Sequence, residues 1–239
     1  MIAAWLGWPA AAEVVVVVTP GVGLDAYRPL LAALANEDVD PVVITVPCSG
    51  DAEALAAIVR RRLAEVDQPV VVAHGLGATL ALLADADVHQ YVFLGPVLGV
   101  PGAAALDDLA TVPVGARVDL RAPRPWGEHD LRQVLLGATL PALGCFPAAL
   151  ARDLQGWIAA RHVPLALDQV TAPVWLGVGL LDELAPPEVV IPTSRALPDR
   201  TVVRLGIARF DPVDYDHAAL LAEPAPLRAA ARVAARADR

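Results

Sequence analysis

The chain has 239 residues, of which 56% are hydrophobic and 19% charged, and its formal net charge is −9. This length is sufficient for one large domain with a full core, and the composition excludes an intrinsically disordered chain. The acidic balance argues against nucleic acid as a partner, because phosphate binding needs clustered positive charge. No apolar stretch is long enough to predict insertion into a membrane.

Cysteine and histidine usage gives little indication of a bound group. The two cysteines, Cys48 and Cys145, predict neither a disulfide framework nor a metal site, and His129 and His162 match no metal-ligand spacing. The apolar N-terminal stretch lacks a basic leading segment, so it does not predict a signal peptide. We therefore expect a cytoplasmic protein without a metal or other cofactor.

The first part of the chain alternates strands with helices. Uninterrupted β-branched runs predict strands that are covered on both faces of a sheet. Apolar residues at helical spacing predict helices, one of them with Asp51 as its N-cap. In chain order the predicted elements are strand 13–19, helix 25–34, strand 40–46, helix 51–66, strand 70–73, helix 78–84 and strand 88–94.

The alternation stops in the segment 100–168, which has several Pro and Gly, no strong strand pattern and helical stretches such as 148–160. It then returns with strand 174–178, a helix after Pro186, strand 201–205 and helix 226–237. Strands and helices joined by short connections predict an α/β fold, a mostly parallel sheet with helices on both faces. We predict a single domain whose core comprises 12–99 and 169–237, with a helical cap insertion at 100–168.

Five stretches of the sequence, taken in order, resemble the α/β-hydrolase family over most of the chain. They read VVVVVTPGVGLDAYRPLLAALA, VVVAHGLGATLALLA, YVFLGPVLGVP, APVWLGVGLLDELAPPEV and YDHAALLAEP. In that family the second stretch displays the nucleophile, and an acid and then a histidine follow it in the chain. The resemblance implies an α/β-hydrolase-like fold, with Asp182 at the position of the acid and His217 at that of the histidine.

The stretch that resembles the nucleophile turn departs from the family's G-x-S-x-G pattern. Its five residues are Ala-His-Gly-Leu-Gly, so Gly75 stands where the resemblance would place a serine. Because glycine has no side chain, no ester intermediate can form at this position. The first turn also has Pro20 where the family has histidine. We expect the backbone amides of Val22 and Leu76 to form an oxyanion hole at the positive end of a helix.

A relocated nucleophile would have to come from another strand end. Cys48 and Ser49 follow the second strand at the sheet edge that borders the pocket in this family, but nothing basic lies beside them in the sequence. Ser194 follows a helix and is expected at the surface. His74, directly before Gly75, is expected to pack rather than to react.

Three interpretations of the function remain open. The first is a non-hydrolytic protein that binds a small apolar ligand or a protein partner, as a homo-oligomer or a subunit of a larger complex. The second is an enzyme in which His217, oriented by Asp182, is a general base, as in a lyase or a non-covalent hydrolase. The third is a dinucleotide-binding protein, because Gly21 and Gly23 fit the G-x-G-x-x-G/A fingerprint, although no carboxylate ends the second strand to hold a ribose.

Overall fold

A computed structural model of the chain describes residues 12–99, 117–119, 145–182, 184–206 and 215–237. The strands are β1 (Val14–Val17), β2 (Val42–Ile44), β3 (Val70–His74), β4 (Gln90–Leu94), β5 (Arg117–Asp119), β6 (Cys145–Pro147), β7 (Val174–Gly179) and β8 (Arg200–Leu205). The helices are α1 (Arg28–Ala35), α2 (Ala52–Leu63), α3 (Leu76–Leu83), α4 (Ala148–Ala160), α5 (Pro187–Thr193), α6 (Ala219–Ala222) and α7 (Pro224–Ala237).

Six strands form one parallel sheet in the order β2-β1-β3-β4-β7-β8. After β2 the chain crosses back over β1 to form β3 on its other side, and from there each new strand is added in the same direction. The crevice at such a switch in strand order, outside the carboxyl ends of the strands, is where α/β sheets bind ligands. The loops that follow β1 and β3 border this crevice.

The core consists of the β-branched strands and the helix that follows β3. All residues of β1 and β3 are buried, and so are seven of the eight residues of α3. Helix α3 is apolar on every side and must therefore be buried on every side. The sheet and helix α2 bury part of its surface. Helix α7 packs against α1, β3 and β4. The elbow between β3 and α3 is therefore fixed within the best-buried part of the molecule.

The prediction of an α/β fold with a mostly parallel sheet is confirmed. The helix after β3 begins at Leu76, two residues earlier than the predicted 78, because a single residue makes the turn. Helix α4 coincides with the predicted helical stretch 148–160.

The segment 100–168 also contains structure that the sequence pattern did not predict. Strands β5 and β6 form a short antiparallel ladder in which Val118 pairs with Phe146. Each strand has only three residues, too few for a recognisable alternation of apolar and polar side chains. Most of the predicted cap insertion lies outside the described residues, so its helical character stays a prediction.

Candidate functional site

Gly75 alone forms the sharp turn between β3 and α3. Its φ of 56° and ψ of −127° lie where residues with a Cβ atom are strained. Its amide donates to the carbonyl oxygen of Leu94 on β4 at 3.1 Å, which fixes the turn to the sheet. A sharp strand-to-helix turn of this kind is typical of a nucleophile elbow.

Asp182 and His217 form a buried pair beside this turn. Asp182 Oδ2 lies 2.9 Å from His217 Nδ1, and the other carboxylate oxygen accepts hydrogen bonds from the amides of Leu184 and Ala185 at 3.0 and 2.7 Å. Burial raises the pKa of Asp182, but the charge and hydrogen bond of His217, together with the Ala185 amide, outweigh burial and hold that pKa below its usual value. Asp182 is therefore ionised, and His217 Nδ1 donates to it.

The other ring nitrogen of His217 points at Gly75. A Cβ atom on Gly75 would lie 2.7 Å from His217 Nε2, a distance at which the ring or the backbone must shift. The imidazole thus occupies space that a side chain at position 75 would need. Nε2 is buried and has no hydrogen-bond partner among the described residues. Because Nδ1 carries the hydrogen, a neutral His217 presents a bare lone pair at Nε2.

Gly95, which follows β4, lies against this pair. Its φ is 50°, and a Cβ atom there would lie 2.6 Å from Asp182 Oδ2 and 3.1 Å from His217 Nδ1. A side chain at this position would therefore enter the Asp182–His217 hydrogen bond. Sequence reasoning missed Gly95, although a glycine directly after a buried strand, in YVFLG, was a signal for a close approach.

His74 is a second buried histidine in contact with the pair. Its Nε2 lies 2.8 Å from the carbonyl oxygen of His217, and the two rings are 4.2 Å apart at an angle of 42°. Since a carbonyl oxygen only accepts, His74 Nε2 carries the hydrogen. Burial and, to a smaller extent, repulsion from His217 lower the pKa of His74 to about 3. His74 is therefore neutral at physiological pH.

Thr19, two residues beyond β1, links the first strand to the elbow. Its hydroxyl donates to the carbonyl oxygen of His74 and accepts from the Tyr27 hydroxyl at 3.0 Å and the Gly77 amide at 3.3 Å. The Tyr27 hydroxyl also accepts from the Thr19 amide at 2.9 Å. A hydroxyl has one hydrogen and two lone pairs, so the hydrogen-bonding capacity of Thr19 is used up. Sequence reasoning did not identify this structural link.

The two predicted oxyanion-hole amides differ in their surroundings. The Val22 amide donates to the Thr19 carbonyl oxygen at 3.1 Å and is therefore engaged within its own turn rather than free. Leu76 is the first residue of α3, a position whose amide has no acceptor inside the helix. A contribution of Leu76 to an oxyanion hole stays a prediction.

The structure also describes the three residues considered as alternative nucleophiles. Cys48 is disulfide-bonded, which the cysteine count did not predict, and so it has no free thiol. Ser49 is exposed to solvent. Ser194 is buried, so the expectation of a surface position is wrong. Its hydroxyl donates to the Ile191 carbonyl oxygen at 2.9 Å. Disulfides are typical of oxidising compartments. The described residues do not test the expected cytoplasmic location, which stays a prediction.

The dinucleotide alternative requires an α-helix that begins at the glycine-rich turn. Here the chain leaves Gly21 and Gly23 through a 3₁₀ turn over Leu24–Tyr27, and α1 begins only at Arg28. The helix that begins next to the two glycines is therefore a single 3₁₀ turn, which does not favour this alternative, and dinucleotide binding stays a prediction.

Within the described part of the chain, no group of His, Cys, Asp and Glu residues could hold a metal ion. Nor does it contain a helix long and apolar enough to cross a membrane. His129 lies outside the described residues, whereas His162 is exposed.

Two cavities described by the structure lie away from this site. One of about 350 Å³ lies between α2 and α4, beside Asp51, Asp153 and Trp157. The other, of about 230 Å³, lies beside Leu98 and Arg161. The lining of neither cavity includes a residue of the Asp182–His217 site.

Solved structures of a lipase, an esterase and a hydrolase share this architecture. A monoacylglycerol lipase of Paleococcus ferrophilus is 18% identical, with 97% of this chain and 96% of that chain covered and a TM-score of 0.61. An esterase of Thermogutta terrifontis is 16% identical, with 95% and 90% covered and a TM-score of 0.57. A pyrethroid hydrolase of Sphingobium faniae is 18% identical, with 95% and 97% covered and a TM-score of 0.56.

The comparisons show the fold. No protein-family model matches the chain, and no curated protein matches it. With identities below a fifth, the solved structures carry no further conclusion about activity. The chain has the α/β-hydrolase fold, as its sequence motifs predicted.

The link made by Thr19 can be tested by removing its hydroxyl. Thr19→Val leaves three buried groups without their partner and is expected to lower the free energy of unfolding by about 2 kcal/mol or more. Thr79→Val is the control, because the buried Thr79 hydroxyl makes one bond, to the Val97 carbonyl oxygen at 2.8 Å. The control is expected to lose about 1 kcal/mol. Guanidinium unfolding measures the free energy of unfolding of both variants. An equal decrease in the two would contradict the role of Thr19 as a link.

The turn at Gly75 can be tested with alanine. Gly75→Ala is expected to lower the free energy of unfolding by about 2 kcal/mol or more, because of its positive φ and the contact with His217 Nε2. Gly156→Ala in α4 is the matched control, since a Cβ atom there meets nothing within 4 Å. The control is expected to be neutral or to stabilise by up to about 1 kcal/mol. Thermal unfolding of both variants decides, and a Gly75→Ala protein as stable as wild type would contradict the steric argument.

The pKa of His74 predicts a loss of stability in mild acid. Below pH 6.5 His74 binds a proton in the unfolded state. In the folded state, where it lies beside His217 and Asp182, burial keeps it neutral down to about pH 3. The free energy of unfolding should therefore decrease by about 1.4 kcal/mol per pH unit as the pH falls from 6 to about 4. His74→Gln should flatten this slope, whereas His89→Gln, at an exposed histidine, should retain it. Urea unfolding at several pH values measures the slope, and the same slope in His74→Gln would refute the assignment.

Proposed function

We propose that this chain is a protein of the hydrolase fold that does not cleave esters through a serine nucleophile. The observation that carries the proposal is Gly75, at the turn where the family displays its nucleophile. No acyl-enzyme can form on glycine. The approach of His217 Nε2 to the Cβ position supports the proposal, because the site is packed for a residue without a side chain.

In this proposal the protein binds a small apolar ligand or a protein partner. The site borders the crevice at the switch in strand order, which is the usual ligand position in α/β sheets. The Asp182–His217 bond then has a structural role: it ties the loop after β7 to the segment that precedes α6. Substitution of either residue is expected to affect stability more than any turnover.

General-base catalysis is a second candidate, favoured by one specific observation. Ionised Asp182 holds His217 in the tautomer whose bare Nε2 can accept a proton from water or from an acidic substrate. Such a reaction needs no covalent intermediate. It would make the protein a lyase or a non-covalent hydrolase.

The absence of a serine nucleophile is tested with a fluorophosphonate probe and by intact mass spectrometry during turnover of p-nitrophenyl acetate. We expect neither a labelled protein nor an acyl adduct, while a serine hydrolase added to the same sample is labelled. A covalent adduct on the chain would refute the proposal. Ser49→Ala and Ser194→Ala would then identify the residue, because the chain has only these two serines.

His217→Gln discriminates between the two candidates. Glutamine can donate to Asp182 but cannot act as a general base at neutral pH. If the protein only binds, the hydrolysis of p-nitrophenyl acetate by His217→Gln should equal that of wild type. If His217 is a general base, the rate should fall by roughly 100-fold or more. Asp153→Asn, at the α2–α4 cavity, is a control that should leave the rate unchanged.

A further inference from the structure

We propose that His74 is a positioning residue that holds His217 in place at the elbow through the main chain of residue 217. This inference rests on the proposed function only in that His217 is taken to have a role at the site. Three contacts fix His217. Its Nδ1 lies 2.9 Å from Asp182, its ring centroid lies 4.2 Å from that of His74, and its carbonyl oxygen lies 2.8 Å from His74 Nε2. Two of the three come from His74.

His74 is well placed to set the distance between His217 and the elbow. It is the last residue of β3 and the direct neighbour of Gly75, so its backbone belongs to the buried centre of the sheet. His217 lies 143 residues further along the chain, outside any helix or strand. The hydrogen bond therefore ties a loop residue to a rigid strand end. A bond to the main chain orients residue 217 while leaving its Nε2 free.

The residues before His217 form other hydrogen bonds, which do not involve the His217 carbonyl oxygen. The Tyr215 carbonyl oxygen accepts from the Leu181 amide at 3.1 Å, and the Asp216 side chain accepts from the Ala219 amide at 2.7 Å. These bonds fix the two sides of residue 217. The bond from His74 fixes the residue itself.

The chemistry of imidazole suits this role. A neutral imidazole donates one hydrogen bond and offers a flat ring face, whereas a lysine or arginine would place a positive charge against His217 and disfavour its protonated form. His74 Nδ1 is buried and has no partner among the described residues. An apolar side chain would avoid that unpartnered atom, so packing alone does not account for a histidine here.

NMR of the His217 ring nitrogens, and of the Nδ1 proton that is hydrogen-bonded to Asp182, tests the inference directly. The His217→Gln variant assigns the signals. His74→Gln keeps an N–H donor, and His74→Met removes it with a side chain of similar length. We expect the His217 ring signals of His74→Gln to match those of wild type. In His74→Met the Nδ1 proton should exchange roughly fivefold faster or more, the factor for one ordinary hydrogen bond.

Thr79→Val is the control for general destabilisation, because it lies in α3 and bonds Val97 rather than His217. It should leave the His217 signals unchanged. A His74→Met protein in which the Nδ1 proton of His217 exchanges at the wild-type rate would overturn the inference. If His74→Met does not fold, His74→Gln decides, and altered His217 signals in that folded variant would overturn it. None of these measurements needs turnover, so their failure is distinct from failure of the proposed function.

Discussion

A continuous chain of buried hydrogen bonds crosses the carboxyl edge of the sheet, and the geometry of the site depends on it. It runs from Asp182 to the ring of His217, from the carbonyl oxygen of His217 to His74, from that of His74 to Thr19, and from Thr19 to Tyr27. These links join the loop after β7, the segment before α6, the end of β3 and the turn after β1. Buried hydrogen bonds of this kind stiffen a core, because losing one partner leaves a desolvated polar group. The elbow and the buried pair are therefore one mechanical unit.

The fold was predictable because its signal is local. Uninterrupted valine runs identify buried parallel strands. The order of the turns carries the family resemblance, which placed Asp182 at a strand end and His217 in a later loop. The start of α3 was misplaced by two residues, because the sequence does not show that Gly75 completes the turn alone. The ladder of β5 and β6 escaped prediction because three-residue strands carry no periodicity.

The support around the pair was not predictable, because it depends on contacts between distant residues. Thr19 and His74 are 55 positions apart, and no spacing in the sequence links either of them to residue 217. Gly95 is constrained by side chains from the other end of the chain. The Val22 amide was assigned to an oxyanion hole from its position, yet the local turn directs it to the Thr19 carbonyl oxygen. The direction of an amide is set by backbone torsion angles that residue types alone do not specify.

The close approach of His217 Nε2 to Gly75 also limits which residues this turn can accommodate. A serine Cβ atom would lie 2.7 Å from the imidazole nitrogen, and its oxygen would need still more room. A nucleophile designed into this turn would therefore need the His217 ring or the backbone to move as well.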